Sequence, residues 1–292
     1  MSEKELVLFD TDIGSDIDDA VCLAYLLMQP YCELVGITTV TGEAVKRAML
    51  ADAVCRVAGK RVPIYAGAEI PMLTAVKQPI AQQAQALPNW EHSKEFSRGA
   101  ISFMRDIIHE NPGKITLLAV GPMTNLGLLF ATYPETAGML KSLVLMCGVF
   151  TNRLPGVGPL EWNALNDPYA TAIVYKAKAA RHRSIGLDVT CRVVLEADEV
   201  RRRFTHPVLQ PVKDFAEVWF KHAKKLTFHD PLAAVSIFED NILSFTRGNV
   251  ESELQSARLM GMTHFAPDDG GVHEVALDVD PDLFFEKYFS VF

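Results

Sequence analysis

Cysteine is scarce. There are five in 292 residues (Cys22, Cys32, Cys55, Cys147 and Cys191), an odd number without a Cys-x-x-Cys pair. That spacing excludes a disulfide framework or a cysteine-built zinc site as the organising device. All but Cys191 sit in apolar runs, where buried free thiols are expected. Basic charge is also short: Lys plus Arg is 28 against 36 Asp plus Glu, a net charge of −8. A general phosphate-backbone binder needs a basic surface, so no nucleic-acid partner is expected. No apolar stretch approaches the roughly 20 residues of a membrane span, so no membrane partner is expected. The opening Met-Ser-Glu-Lys-Glu lacks the charged-then-apolar order of a signal peptide, which makes the reducing cytoplasm the expected compartment. Glycine (18) and proline (16) are too few for a collagen-like or low-complexity chain.

What is present is ample apolar material, 49 % of residues, with 22 % charged, which suits a packed globular protein. Strand-like and helix-like patterns alternate. Residues 6–9 form a short apolar run ending in Asp10, as a buried parallel strand reads, and residues 18–28 follow with helical apolar spacing. Further strands are expected at 34–40, 62–66, 115–120, 143–146 and 183–189. Helices are expected at 44–58, 100–109, 169–177, 209–225 and 281–289, and Thr124 is a candidate cap for one more. Short alternating runs around Val250, 259–262 and 272–279 read as a β-rich tail. Repeated βα units imply an α/β fold with a mostly parallel central sheet and helices on both faces. Functional groups then gather beyond the carboxyl ends of the strands. Residues 71–90 form a long, Gln- and Pro-rich, poorly periodic loop of the kind used as lids or binding loops. With no internal repeat and no linker, residues 1–292 are expected to form a single domain.

The densest chemistry is Asp10-Thr-Asp12-Ile-Gly14-Ser-Asp16-Ile-Asp18-Asp19-Ala20, with five carboxylates where a strand gives way to a helix. Helix capping needs only one or two acids. Like charges this close repel, and a hard cation such as Ca²⁺ or Mg²⁺ relieves them. An EF-hand fits poorly, because Gly14 falls one place early and Val21 stands where the bidentate Glu belongs. A phosphatase of the haloacid-dehalogenase type also opens with Asp-x-Asp after a first strand. Its second acidic pair is missing, since Asp268-Asp269-Gly-Gly precedes a strand and does not end one.

The acidic stretch closely resembles the opening motif of the inosine–uridine-preferring nucleoside hydrolase family, in its longer Asp-x-Asp-x-x-x-Asp-x-Asp-Asp form. Further matches follow in order: Gly36-Ile-Thr-Thr-Val40, Ala119-Val-Gly-Pro-Met-Thr-Asn125, Glu161-Trp-Asn163 with Asn166-Asp-Pro168, Phe228-His-Asp-Pro231, and Val279-Asp-Pro-Asp-Leu-Phe284. The resemblance runs along essentially the whole chain. It implies calcium-dependent hydrolysis of the N-glycosidic bond of ribonucleosides, giving ribose and a free base. The implied Ca²⁺ ligands are Asp12, Asp19, the carbonyl of Val120 and Asp230, with Asp10 supporting the loop and Asp16 solvated or in a supporting role. Asp12 is implied as the base that deprotonates a metal-bound water. Asp18 and Asn163 are implied to grip ribose hydroxyls, and Glu161 to sit near the 5′-hydroxyl and the developing cation. His229, with an ordinary pKa near 6.5, is the implied acid for the leaving base.

Two departures stand out. Glu43 replaces the family's usual Asn near the ribose, and is either a sugar-binding group or merely the start of the next helix. The 71–90 loop lacks a His seen in several members. Trp162, Trp219, His222 and Phe228 are candidates for a wall against the nucleobase. The partner implied is a small nucleoside, and a homodimer or homotetramer is expected. The alternatives are a non-catalytic calcium-stabilised nucleoside- or sugar-binding protein and a hydrolase for a modified riboside.

Overall fold

The computed structural model describes residues 4–292; Met1–Glu3, the start of the segment read for a targeting signal, lie outside the described residues. The strands are β1 Glu5–Thr11, β2 Cys32–Thr39, β3 Ile64–Ala66, β4 Ile115–Ala119, β5 Ser142–Leu145, β6 His182–Ser184, β7 Val194–Glu196, β8 Lys225–Thr227, β9 Leu243–Ser252, β10 Thr263–Pro267 and β11 His273–Val279. Nine of them form one sheet in the order β10-β9-β11-β6-β5-β4-β1-β2-β3. It is parallel from β3 through to β11, and antiparallel only where β9 pairs with β11 and β10. β7 and β8 make a separate antiparallel ribbon.

Both faces are buried at the centre of the sheet, in β1, β4 and β5, which is why β1 reads as an unbroken apolar run, whereas β9 and β10 are partly exposed. Val7 and Phe9 enter one hydrophobic cluster and Leu8 the other, as the two-residue period of a strand requires. The first cluster is completed by α1 (Asp18–Met28), α2 (Ala44–Val57) and later helices of the chain. The second is completed by α3 (Ala100–Glu110), α4 (Thr124–Thr132), α5 (Glu135–Met139) and, after the short α6 (Trp162–Asn166), by α7 (Pro168–Lys176). The remaining helices are α8 (Leu187–Thr190), α9 (Ala197–Arg203), α10 (Leu209–Trp219), α11 (His229–Val235) and α12 (Pro281–Phe289). Among the described residues no helix is long and apolar enough to cross a membrane.

Several local expectations give way to tertiary context. The strand expected over 183–189 ends at Ser184, and Leu187 opens α8 with its N–H on the Gly148 carbonyl. On one side its neighbour β5 ends at Leu145, although β11 on the other side runs on to Val279. The helix expected to Lys225 stops at Trp219, because 225–227 pair with β7. Thr124 is not a cap; its hydroxyl donates to Asp167 Oδ2 at 2.8 Å. Residues 259–262 form a turn, not a strand. The 71–90 segment holds a 3₁₀ helix, Gln82–Asn89, and packs against α2 and α10.

The ladder between β6 and β11 carries a titratable load. His182 lies opposite His273, edge to face at 4.7 Å, and stacks on Tyr175 at 5.4 Å. Both ring nitrogens of His182 lack a hydrogen-bond partner. Burial lowers its pKa from 6.5 to about 3. The unfolded chain therefore takes up a proton below about pH 6.5 that the native state refuses, and stability falls with pH in that window. Between pH 7 and pH 5 the expected loss from this group is about 2 kcal/mol. His182→Phe keeps a ring on Tyr175 and removes the titration. Urea unfolding at both pH values is expected to show that increment in the parent and not in the variant; equal pH dependence of the two rejects it.

Candidate functional site

The acidic loop leaves β1 at the carboxyl edge of the sheet, beside the ends of β4 and β5. Its turn depends on Gly14, whose φ is +121° and whose missing Cβ would lie 2.7 Å from Leu50 Cδ1. Gly121, just past β4, lets that loop close in: a Cβ there would meet Asp12 N and Oδ1 at 2.9 Å. Thr11 Oγ1 donates to Asp19 Oδ1 at 2.5 Å, and the Asp12 amide donates to the same oxygen at 3.1 Å. Asp10 stays beneath the loop, its Oδ1 accepting from Thr38 Oγ1 and Asn125 Nδ2 at 2.5 and 2.7 Å.

Asp18, Asp19 and Asp230 each offer an oxygen within 4.8 Å of the others, and all three residues are buried. Asp230 comes from the first turn of α11, with its amide on Asp18 Oδ2 at 3.2 Å. Burial first, then the charges of Asp16 and Asp19 at Asp18 and of Asp18 and Asp19 at Asp230, push these two carboxyls well above the ordinary range; at Asp19 burial again leads, followed by the charge of Asp12. Burial also raises Asp12, against the pull of Arg47, and lifts Asp16 to about 7. A buried carboxylate cluster of this kind is the donor set of a hard divalent cation, so the residues fit a metal.

The counter-charge is Arg47, fully buried on α2. Its guanidinium donates to the carbonyls of Asp12, Ile13, Gly42 and Gln78 and to Ser15 Oγ, so it braces the acidic loop from behind.

Across the cavity, Glu161 caps α6 and is almost fully buried. Its oxygens accept from the amides of Asn163 (2.7 Å), Ala164 (2.9 Å) and Gly148 (3.0 Å), while burial raises its pKa. Asn163 Nδ2 donates to the carbonyls of Val120 at 2.6 Å and Met146 at 3.0 Å, which fixes the amide and turns Oδ1 away from them. His229 Nδ1 pairs with Thr190 Oγ1 at 2.7 Å, and burial lowers its pKa from 6.5 to about 4. Burial thus disfavours the charged imidazole more than in an ordinary histidine.

One cavity of about 520 Å³ gathers Asp12, Asp18, Asp19, Val120, Glu161, Trp162, Asn163, His229 and Asp230 along its wall. Glu43 does not line it. The residue sits at φ +60° ahead of α2, and its carboxylate takes Lys46 Nζ at 2.5 Å and the Ala81 amide at 2.9 Å. It fastens the 71–90 segment through the Ala81 amide. Trp162 and Trp219 line the cavity; His222 does not, and Phe228 is buried against Phe284, Phe285 and Tyr288.

Lys77, Gln78, Ile80 and Gln82 also reach the cavity from the 71–90 segment, and none was expected there. A glutamine in an aperiodic loop carries no local signal. Arg47 did leave one: with Ala44, Ala48 and Ala51 it shares the buried stripe of α2.

The chain matches the family model described as inosine-uridine preferring nucleoside hydrolase over residues 7–286. It is 26 % identical over 281 residues to uridine nucleosidase 1 of Arabidopsis thaliana, covering 87 % of this chain and 80 % of that one. It is 27 % identical over 270 residues to the non-specific ribonucleoside hydrolase RihC of Salmonella newport, covering 88 % and 86 %. The fold superposes on a purine-preferring ribonucleoside hydrolase from Gardnerella vaginalis with a TM-score of 0.86 at 22 % identity, over 98 % of both chains.

Proposed function

Starting from a chain that belongs to the inosine–uridine preferring nucleoside hydrolase family and so hydrolyses the N-glycosidic bond of ribonucleosides, we propose that it does so with Ca²⁺ in the Asp18, Asp19, Asp230 cluster and Asp12 as base. The observation that carries the reading is the meeting of that cluster with Asp12, Glu161, Asn163 and His229 around one cavity. Asp12, Asp19, Asp230, the Val120 carbonyl and the neighbouring Asp18 are the donors offered. When bound, the ion supplies Lewis acidity that eases deprotonation of a water and a hold on the sugar's hydroxyls.

The chain's own groups do the rest. Asp12 takes the proton of the attacking water, whose oxygen joins C1′ as the bond to the base nitrogen breaks. Glu161 sets buried negative charge beside the ribosyl cation that develops. Asn163, its amide nitrogen fixed by two carbonyls, presents Oδ1 to a ribose hydroxyl, and Asp18 accepts from another. In the tautomer we assign, Thr190 donates to Nδ1, and the neutral His229 carries its proton on Nε2 and steadies the departing base by a hydrogen bond. Trp162 and Trp219 offer flat apolar faces to the base. We extend the proposal to a single domain over 1–292, acting as a cytoplasmic homodimer or homotetramer.

The test is release of reducing sugar from inosine, adenosine, guanosine, uridine, cytidine and 2′-deoxyuridine, with and without EDTA. Turnover of ribonucleosides is expected, lost with chelator and absent for the deoxy compound. Independently of turnover, Ca²⁺ at roughly 100 times its Kd is expected to stabilise the fold by about 3 kcal/mol over EDTA. Activity that survives EDTA, or no stabilisation by Ca²⁺, defeats the calcium assignment.

A further inference from the structure

We infer that Gln78 is a positioning residue for the base, holding one oxygen of Asp12 so that the other takes the proton, and that the Trp162 indole anchors Gln78 in that role. The inference rests on the assignment of Asp12 as base. Gln78 uses both ends of its amide: Nε2 donates to Asp12 Oδ2 at 3.0 Å, and Oε1 accepts from Trp162 Nε1 at 2.6 Å. Only one orientation of the amide satisfies both partners, because a flip would set oxygen against carboxylate and N–H against N–H. A carboxylate's terminal torsion is broad when nothing holds it. With Oδ2 held, Oδ1 is left as the proton acceptor. A neutral donor is suited to this task, since its hydrogen bond lowers the carboxylate's basicity less than the charge of Arg47 does.

The backbone that carries Gln78 is itself clamped. On the α6 side the Met72 amide donates to Asp167 Oδ2 at 2.8 Å, Thr74 Oγ1 to the Asn166 carbonyl at 2.8 Å, and Lys77 Nζ to the Leu165 carbonyl at 3.1 Å. On the acidic-loop side Arg47 Nη2 donates to the Gln78 carbonyl at 3.4 Å, and the Gln83 amide to the Gly14 carbonyl at 3.0 Å. Gln78 therefore meets Asp12 from a fixed support. Trp162 is 47 % exposed at the cavity mouth, and a phenyl ring in its place would have no N–H for Gln78. The bridge joins the residue that faces the nucleobase to the residue that takes the proton.

The test uses the full chain loaded with Ca²⁺ and three variants: Gln78→Met, which keeps length and loses both hydrogen bonds, Trp162→Phe, which keeps a ring and loses the N–H, and the double variant. Gln78→Met is expected to lower kcat by about ten-fold or more, with KM within roughly three-fold. Trp162→Phe is expected to lower kcat in the same direction, and the double variant to fall no further than the worse single. A merely structural loop contact would shift the melting temperature or KM and spare kcat. The three tryptophans give three indole N–H resonances; the one lost in Trp162→Phe is expected to move upfield in Gln78→Met. Unchanged kcat in Gln78→Met, or multiplicative losses in the double variant, overturns the inference while leaving an active hydrolase. A folded, calcium-loaded parent that turns over no ribonucleoside overturns the reading beneath it, and the inference with it.

Discussion

Asp12→Asn is expected to slow ribonucleoside hydrolysis by about 10³-fold, the order general-base removal produces. The substitution keeps shape and a side-chain oxygen and removes the ability to take a proton. Its surroundings are built for that task. The side chain is buried, its charge is offset by Arg47 behind the loop, and Gln78 holds Oδ2. The carboxylates of Asp18, Asp19 and Asp230 stay in place, so Ca²⁺ should still raise the melting temperature of the variant. Single-turnover rates and thermal shifts with and without Ca²⁺ separate the two effects. An Asn variant within ten-fold of the parent means that another group takes the proton. A variant that loses the calcium shift as well means that Asp12 serves chiefly as a ligand.

The largest loss of stability is expected at Arg47. Replacing it by Met should cost about 3–5 kcal/mol, because a buried cation among acids is lost and its acceptors are left unpaired. Five hydrogen bonds go with it, to four carbonyls and Ser15 Oγ. Arg47→Lys should recover little, since one ammonium cannot span acceptors that the guanidinium fork reaches together. Urea unfolding of the metal-free proteins reads the difference, and a loss under about 1 kcal/mol would show that the acidic loop does not depend on this brace. Ca²⁺ should narrow the gap, because the ion takes over part of the charge balance.

These two residues differ in how openly the sequence displays them. The motif around Asp12 is local: a buried strand, a glycine turn and acids in the first turn of a helix lie within the fifteen residues from Glu5 to Asp19. Their order alone dictates a carboxylate-rich loop at a strand's end, and α1 and α12 run over the ranges expected. The alternation of strands and helices likewise follows from short-range periodicity, and with it a sheet whose centre is buried on both faces. The later Glu-Trp-Asn and His-Asp-Pro elements were legible as motifs, and they do come to the same cavity.

What the tertiary structure alone decided involves groups far apart in sequence. Gln78 meets Asp12 across 66 positions and Trp162 across 84. Arg47 meets Asp12 across 35. Glu43 is held outside the cavity lining by the Ala81 amide, and burial lowered the His229 pKa from 6.5 to about 4. The end of β6 moved because Leu187 turns its N–H to the Gly148 carbonyl, a contact from a distant loop. Periodicity reports which face of an element is buried. It cannot report which polar atom from another element arrives there, because hydrogen bonds and desolvation are set by three-dimensional proximity. The sequence by itself therefore determined the chemistry carried to the sheet's carboxyl edge, and the packing of distant segments decided how that chemistry is held, charged and aimed.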